Sequence, residues 1–240
     1  MGMPITVEIT DEAKSADLDK IFNYFKRVDE RYSPYKPSSE LSKINNGLPR
    51  KEWSPEFLEI IDLCEQTKRQ TNGYFNIEHE GKLDPSGLVK GWAIQKAAEQ
   101  LLHAGFTNFY IEAGGDIQAH GNYKTDSAWQ IGIRNPFNTE EIVKVINLRD
   151  QGIATSGTYI RGQHIYDPHQ NFSEVSHVKS LTVIGPNIYE ADRYATAAFA
   201  MGESGIAFIE ELPGFEGYQI DDNQIATFTS GFENYVATTD

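Results

Sequence analysis

The first hundred residues place their apolar side chains three and four positions apart, which is the spacing of one face of an α-helix. Ser54 and Pro55, residue types typical of a helix N-cap and its first position, precede one of these stretches. Prolines at positions 34 and 37 separate two others. The pattern predicts helices at residues 16–32, around 41–44, at 55–73 and at 89–103.

From residue 108 onward the apolar period shortens to that of strands. A helical stretch at residues 190–212, broken at Gly202 or Gly205, interrupts this part of the chain, and a further strand is predicted at residues 5–10. The predicted later strands lie at residues 109–112, 128–133, 142–148 and 177–184, with a hairpin at 217–228. We therefore expect one α+β domain over residues 1–240, a mixed or antiparallel sheet with packed helices, compatible with a T-fold-related architecture.

The charge balance restricts the ligands that this chain could bind. With 21 basic and 35 acidic residues the net charge is -14, which argues against a nucleic-acid partner. An anionic ligand would need a divalent metal or a few well-placed basic residues. Cys64, the only cysteine, excludes an internal disulfide and lies in an apolar helical pattern, so we expect it to be buried and inert. Neither a signal peptide nor a membrane span is visible, so the expected location is cytoplasmic, with export of a longer precursor left open.

A carboxylate and a hydroxyl stand four residues apart near the start of the predicted helix after residue 188. Asp192 and Thr196 would project from one face of that helix. Their oxygens form a suitable half-site for a hard cation that holds phosphates. Many helices carry such a pair without any metal, so the pair alone leaves the question open.

Two glycine-containing turns add further candidates. The segment from Asp84 to Trp92 turns into a helix and could offer a carbonyl to a metal and amides to a phosphate, with Lys90 adding positive charge. An ordinary capped helix explains the same segment. Residues 112–117 place two glycines and Asp116 after a strand, which suits either close ligand approach or a hairpin turn.

The remaining candidates are a basic side chain, an imidazole and two groups of aromatic rings. Arg161 could contact a phosphate in two places, and His164 could take a proton from an attacking hydroxyl, although a lone histidine on a strand is commonly structural. The other histidines show no metal-ligand spacing and receive no role. Tyr35 lies in a proline-stiffened loop and could stack on a flat ring, whereas burial is the simpler explanation for the aromatic pair at positions 74 and 75.

Taken in order, these segments resemble the FAD:protein FMN transferases of the ApbE family over nearly the whole chain. The motifs that carry the resemblance are Met1-Gly-Met, Ser33-Pro-Tyr, Gly73-Tyr-Phe-Asn, Asp84-Pro-Ser-Gly, Ala113-Gly-Gly-Asp, Thr155-Ser-Gly-Thr, His164-Ile-Tyr-Asp-Pro and Ala191-Asp-Arg-Tyr-Ala-Thr. The resemblance implies a magnesium-dependent enzyme that transfers FMN from FAD to a threonine or serine hydroxyl of a protein acceptor and releases AMP.

The resemblance also implies roles for individual residues. The metal ligands would be Asp192, Thr196 and the carbonyl of Gly87. The FAD contacts would be Met1, Tyr35, Tyr74, Phe75, Asn76, Asp84, Lys90, His164 and Ile165, with Arg161 as a further candidate phosphate partner. We expect His164, or Asp116 in its place, to assist deprotonation of the acceptor hydroxyl.

The sequence departs from the family pattern at three places. Asn76 replaces an aspartate, the segment 77–83 replaces a much longer insert, and residues 169–171 replace a glycine that usually follows the Asp-Pro motif. The pocket wall that the insert builds could be absent or supplied by a second subunit of a homodimer. Two other functions stay open: a magnesium-dependent FAD pyrophosphatase that yields FMN and AMP, and a non-catalytic FAD-binding protein.

Overall fold

A computed structural model describes residues 2–158 and 165–237 of the chain. Each predicted helix is present, and the Ser54 side chain accepts a hydrogen bond from the Phe57 amide at 3.2 Å, as expected of an N-cap. The long helical stretch breaks after residue 200, where Gly202 adopts a φ of +61°. The helices are α1 (Ser15–Tyr32), α2 (Glu40–Asn45), α3 (Pro55–Gln70), α4 (Ser86–His103), α5 (Ile188–Ala200) and α6 (Gly205–Glu210).

Thirteen strands are present in the described ranges. They are β1 (Ile5–Ile9), β2 (Glu78–His79), β3 (Lys82–Leu83), β4 (Phe109–Ala113), β5 (Asp116–His120), β6 (Trp129–Arg134), β7 (Ile142–Leu148), β8 (Gln151–Gly157), β9 (Tyr166–Asp167), β10 (Ser173–Glu174), β11 (Val178–Gly185), β12 (Glu216–Asp221) and β13 (Ala226–Phe228). Seven of them form one sheet in the order β1-β4-β5-β8-β11-β12-β13, and every neighbouring pair is antiparallel.

The other six strands pair as β2 with β3, β6 with β7 and β9 with β10. The predicted class, helices with an antiparallel sheet in one domain, is confirmed. Strand β8 at the centre of the sheet was not predicted, because its small and hydroxyl side chains lack the alternation that marks a half-buried strand. Among the described residues no helix is both long and apolar enough to cross a lipid bilayer.

Side chains that alternate along the strands divide the protein into two hydrophobic cores. In β4, Phe109 and Ile111 pack beneath the helices, whereas Tyr110 points to the opposite face, where the β6–β7 hairpin covers the sheet. Cys64 on α3 is 1% exposed within the helix-side core, which confirms its predicted burial. Helices α4 and α5 cross this side of the sheet next to each other and carry the candidate metal residues on their facing sides.

Candidate functional site

The two helices approach each other closely because a glycine faces the partner helix. A Cβ atom placed on Gly91 would lie 2.7 Å from both the Asp192 Cβ and the Ile188 carbonyl oxygen. The Gly91 amide instead donates a hydrogen bond to Asp192 Oδ2 at 2.7 Å. Because Gly91 has no side chain, the backbone of α4 comes close enough to hold the Asp192 carboxylate in place.

The three candidate metal ligands meet at this contact between the helices. Thr196 Oγ1 donates a hydrogen bond to the Gly87 carbonyl oxygen at 3.3 Å. In a regular α-helix that carbonyl would accept from the amide of residue 91. Because the Gly91 amide donates to Asp192, the Gly87 carbonyl has to share or lose the helical hydrogen bond from that amide. A carboxylate, a hydroxyl and a carbonyl are the hard oxygen donors that magnesium prefers, so the donor set fits that ion.

A lysine whose side chain is 12% exposed balances part of the negative charge at the site. Lys90 Nζ lies 2.5 Å from Asp116 Oδ2 and 3.8 Å from Asp192 Oδ1, and both carboxylates are almost completely buried. Burial raises the pKa of Asp192 to about 8, with Asp116 adding to the shift and Lys90 opposing it. Lys90 thus forms its ion pair with Asp116, and the raised pKa leaves Asp192 mostly protonated at neutral pH; a bound cation would favour its ionised form.

Asp116 is fixed from a second direction, since its Oδ1 accepts a hydrogen bond from the Thr155 amide of β8 at 3.2 Å. The paired glycines before it form the turn of the β4–β5 hairpin, with φ angles of +61° at Gly114 and +94° at Gly115. The hairpin interpretation of residues 112–117 is therefore correct. Gly114 also borders both cavities of the site, so the turn lies next to the space where a ligand would bind.

Two cavities meet at Lys90. The smaller one, of about 370 Å³, contains Asp192, Thr196 and Gly87 in its wall. The larger one, of about 1760 Å³, extends between the β6–β7 hairpin, the sheet and the loop that carries Tyr35. Both are lined by the same five residues at their junction: Asp84, Ser86, Lys90, Gly114 and Thr155.

Most of the residues chosen from the sequence line one of these cavities. Those in the wall of the smaller cavity are Tyr74, Phe75, Asn76, Asp84, Gly87, Lys90, Ile165, Asp192 and Thr196. Tyr35 is 86% exposed at the larger cavity, which suits a ring that is free to stack on a ligand. Asp116 lies directly behind Lys90. Met1, Arg161 and His164 lie outside the described residues.

Two of these side chains also have a structural role. Phe75 is 2% exposed and belongs to the helix-side core, so it can offer only an edge to a ligand. Asn76 Oδ1 accepts hydrogen bonds from Lys68 Nζ and from the Glu78 amide, both at 3.2 Å. Asn76 thus organises the start of the short segment that replaces the longer insert.

Three aromatic residues of the smaller cavity were missed by sequence reasoning. His79, Tyr166 and Phe172 line the cavity together, although His79 is far from the other two in the sequence. Their local sequence shows no periodic pattern that could have indicated this grouping. The turn dipeptide Glu80-Gly81 could have indicated the β2–β3 hairpin, since both residues adopt positive φ angles of 51° and 73°. Among the described residues no group of three or more His, Cys, Asp or Glu side chains could hold a metal.

Comparisons with known proteins identify a family. The family model described as "ApbE family" matches residues 1–81 and 77–218. The FAD:protein FMN transferase of Haemophilus influenzae is 30% identical over 65% of this chain and 49% of its own length, and that of Treponema pallidum is 28% identical over 66% and 49%. The chain thus spans about half the length of the curated relatives that it matches.

Solved structures show the same fold. The flavin transferase ApbE of Vibrio cholerae superimposes with a TM-score of 0.84 at 22% identity, covering 98% of this chain and 96% of that one. An ApbE protein from Thermotoga maritima gives a TM-score of 0.83 at 21% identity, with the same coverage. Since the family model extends over most of the sequence and the fold agrees from end to end, the chain belongs to the ApbE family.

Proposed function

We propose that the protein is a magnesium-dependent FAD:protein FMN transferase that attaches FMN to a threonine or serine hydroxyl of an acceptor protein and releases AMP. The observation that carries the proposal is the oxygen set of Asp192, Thr196 and Gly87 beside Lys90, at the junction of two cavities. FAD has the matching composition, with a charged pyrophosphate between two ring systems. The names of the relatives support the same activity.

In the proposed reaction the acceptor hydroxyl oxygen forms a bond to the FMN phosphorus, and the bond from that phosphorus to the bridging oxygen breaks. AMP then leaves with the bridging oxygen. Bound magnesium would neutralise charge on the pyrophosphate oxygens. Lys90 adds a positive charge at the junction, and Asp116 orients Lys90 through its ion pair.

The proton of the attacking hydroxyl needs a base within hydrogen-bond reach. Asp116 is 1% exposed and lies behind Lys90, a position that favours orienting the lysine over contacting an acceptor protein. We propose His164, the other candidate that accompanies the family resemblance, as the base that takes the proton. The larger cavity opens beside the exposed Tyr35, which provides space for a segment of the acceptor.

The decisive experiment incubates the protein with FAD, magnesium and a candidate acceptor peptide, and follows AMP release together with the acceptor mass. An FMN adduct on the acceptor supports transfer, AMP without adduct indicates an FAD pyrophosphatase, and neither product indicates a binding protein. We expect Asp192→Ala to abolish metal-dependent turnover, because the carboxylate is the only charged ligand of the proposed set. Asp62→Ala, at an exposed position on α3, is the matched control.

A second variant tests the assignment of the base. His164→Ala should slow transfer while FAD binding, measured by equilibrium dialysis, is largely kept. An unchanged transfer rate would remove His164 as the base. Full activity of Asp192→Ala would likewise refute the metal assignment.

A further inference from the structure

We propose that the acceptor protein binds along the free edge of β1, where one of its segments adds to the sheet as a further strand. This inference rests on the proposed function, because it states how the partner of that reaction is held. The segment is extended and contains the threonine or serine that receives FMN. Its residues alternate between apolar side chains and polar or basic ones.

The backbone of β1 has one bonded side and one free side. The strand (Ile5–Ile9) lies at one end of the sheet and pairs with β4 alone. The Thr10 amide donates to the Asn108 carbonyl at 2.9 Å, and the Gly114 amide donates to the Pro4 carbonyl at 3.4 Å. In an antiparallel pair, residues bonded to the partner strand alternate with residues whose amide and carbonyl point away. The even-numbered residues therefore bond to β4, and the odd-numbered ones direct their backbone groups to the free side.

This free edge has no partner within residues 2–158 and 165–237. No other strand pairs there, and no hydrogen bond reaches the amide or carbonyl of Ile5, Val7 or Ile9 from the described part of the chain. An unpaired edge presents a row of donors and acceptors with which a second chain can pair. Proteins that bind extended peptides in this way gain affinity from main-chain hydrogen bonds and specificity from alternate side chains.

The position of the edge favours the acceptor as its occupant. Residues 2–4, which lead into β1, line the larger cavity together with Lys90. Met3 lies against the turn at Gly114, since a Cβ atom placed there would be 2.8 Å from the Met3 Sδ. Because a strand advances by about 3.3 Å per residue, a hydroxyl a few residues beyond the paired segment reaches the junction of the two cavities.

The side chains of β1 indicate the composition of the added strand. Thr6 and Glu8 are exposed and line the larger cavity, as does Glu112 on β4, whereas the apolar odd-numbered side chains are half-buried on the helix side. Side chains of an added strand alternate in the same way, so polar or basic residues would lie beside Glu8 and apolar ones on the other face. A second copy of this chain fits less well, because each copy carries a net charge of -14.

A synthetic peptide tests the pairing on the unmodified protein. The probe is a fluorescein-labelled peptide of about eleven residues, with valine and lysine alternating on both sides of a central threonine, so that either half can pair with the five residues of β1. Fluorescence anisotropy measures its binding at physiological ionic strength, which screens nonspecific attraction to an acidic protein. Two further versions of the peptide carry N-methyl groups on all valine amides or on all lysine amides.

Only one of these two sets of amides can face β1. Methylation of that set removes several hydrogen bonds and should weaken binding at least about tenfold. The other set faces away from the sheet, so its methylation should change binding by less than about twofold. Such a dependence on alternate amides is the signature of an added strand.

A proline variant tests the same edge from the side of the protein. Val7→Pro removes an amide of the free edge without removing a hydrogen bond to β4. The dissociation constant of the peptide should rise roughly 3- to 10-fold relative to Val7→Ala, which keeps the amide. Ala226→Pro is the matched control at the opposite end of the sheet. There the Asp221 amide donates to the Ile225 carbonyl, so the Ala226 amide also points to a free side, and Ala226 lines neither cavity.

Thermal unfolding verifies that the variants are folded, and the methylated peptides decide the question even if Val7→Pro is not. Equal effects of the two methylated peptides, or no binding of the unmethylated one, would overturn the proposal. Equal weakening by Val7→Pro and Ala226→Pro would also overturn it. Sedimentation velocity tests the other occupant: a wild-type dimer that Val7→Pro dissociates, with peptide binding unchanged, would assign the edge to a second copy.

The fate of the proposed function is separable from this outcome, because peptide binding requires neither FAD nor turnover. If the protein hydrolyses FAD without modifying an acceptor, the transferase assignment fails while the edge of β1 is still tested by the peptides. If the peptides do not bind but FMN is transferred to an acceptor protein, only the assignment of β1 fails.

Discussion

Replacing Gly91 by alanine tests whether the close approach of α4 and α5 positions the carboxylate of Asp192, the proposed metal ligand. The new Cβ would lie 2.7 Å from the Asp192 Cβ and 2.7 Å from the Ile188 carbonyl oxygen. Favourable contacts between carbon atoms are about 3.5–4.0 Å long, so the two helices would have to separate by about 1 Å. That movement also lengthens the 2.7 Å hydrogen bond from the Gly91 amide to Asp192.

Two effects of opposite sign decide the result. Helix propensity alone favours alanine over glycine by about 1 kcal/mol. Overpacking costs about 1–3 kcal/mol, and a weakened hydrogen bond to a charged group costs about 1.5–3 kcal/mol when it is lost completely. We therefore expect the free energy of unfolding to fall by about 2–3 kcal/mol, which corresponds to a decrease in Tm of about 5–10 °C for a domain of this size.

Urea unfolding measures this change, and magnesium titration of the folded variant measures the effect on the proposed metal site. The pair Gln100→Ala and Gln100→Gly, at an exposed position of the same helix, gives the difference between alanine and glycine without overpacking. Of that pair, Gln100→Ala should be more stable than Gln100→Gly, whereas Gly91→Ala should be less stable than the wild type. A Gly91→Ala variant that is as stable as the wild type, or more stable, would refute the packing argument.

Two further predictions concern charged groups. Lys90→Met should lower the free energy of unfolding by about 3 kcal/mol, because it leaves the buried Asp116 and Asp192 without their cation, and added magnesium should restore part of the loss in a thermal melt. Lys96→Met, at an exposed ion pair on the same helix, should change the free energy of unfolding by less than about 1 kcal/mol. Equal effects of the two variants would contradict the argument. Burial would raise the pKa of Asp11, but hydrogen bonds from Asn108 and the Thr107 amide outweigh this effect and lower that pKa. The ionised Asp11 therefore stabilises the folded protein above the unfolded pKa of about 3.9, and this stabilisation is lost as the pH falls. Asp11→Asn should therefore cost about 0.5–1 kcal/mol in urea unfolding at pH 7, with a difference from the wild type that closes toward pH 3, and a pH-independent difference would contradict this account.

Local sequence patterns were sufficient for the elements whose side chains repeat regularly. The helices α1, α3 and α5 carry apolar residues at helical spacing, and their starts or breaks coincide with residues such as Ser54 and Gly202. Strand β8 was missed, because a strand buried at the centre of a sheet needs no alternation of polar and apolar side chains. The metal candidates could be chosen as a pair because Asp192 and Thr196 lie one helical turn apart.

The sequence by itself therefore determined the helices, most strands, the family and the candidate metal pair, since each depends on residues close together in the chain or on the order of short motifs. Only the tertiary structure decided that Gly91 holds Asp192, that Lys90 lies between two carboxylates and that His79 stacks on Tyr166. These contacts join residues far apart in the chain. The packing of α4 on α5, and of two small hairpins around one cavity, determines which of these residues meet. The local spacing of apolar side chains does not predict such contacts.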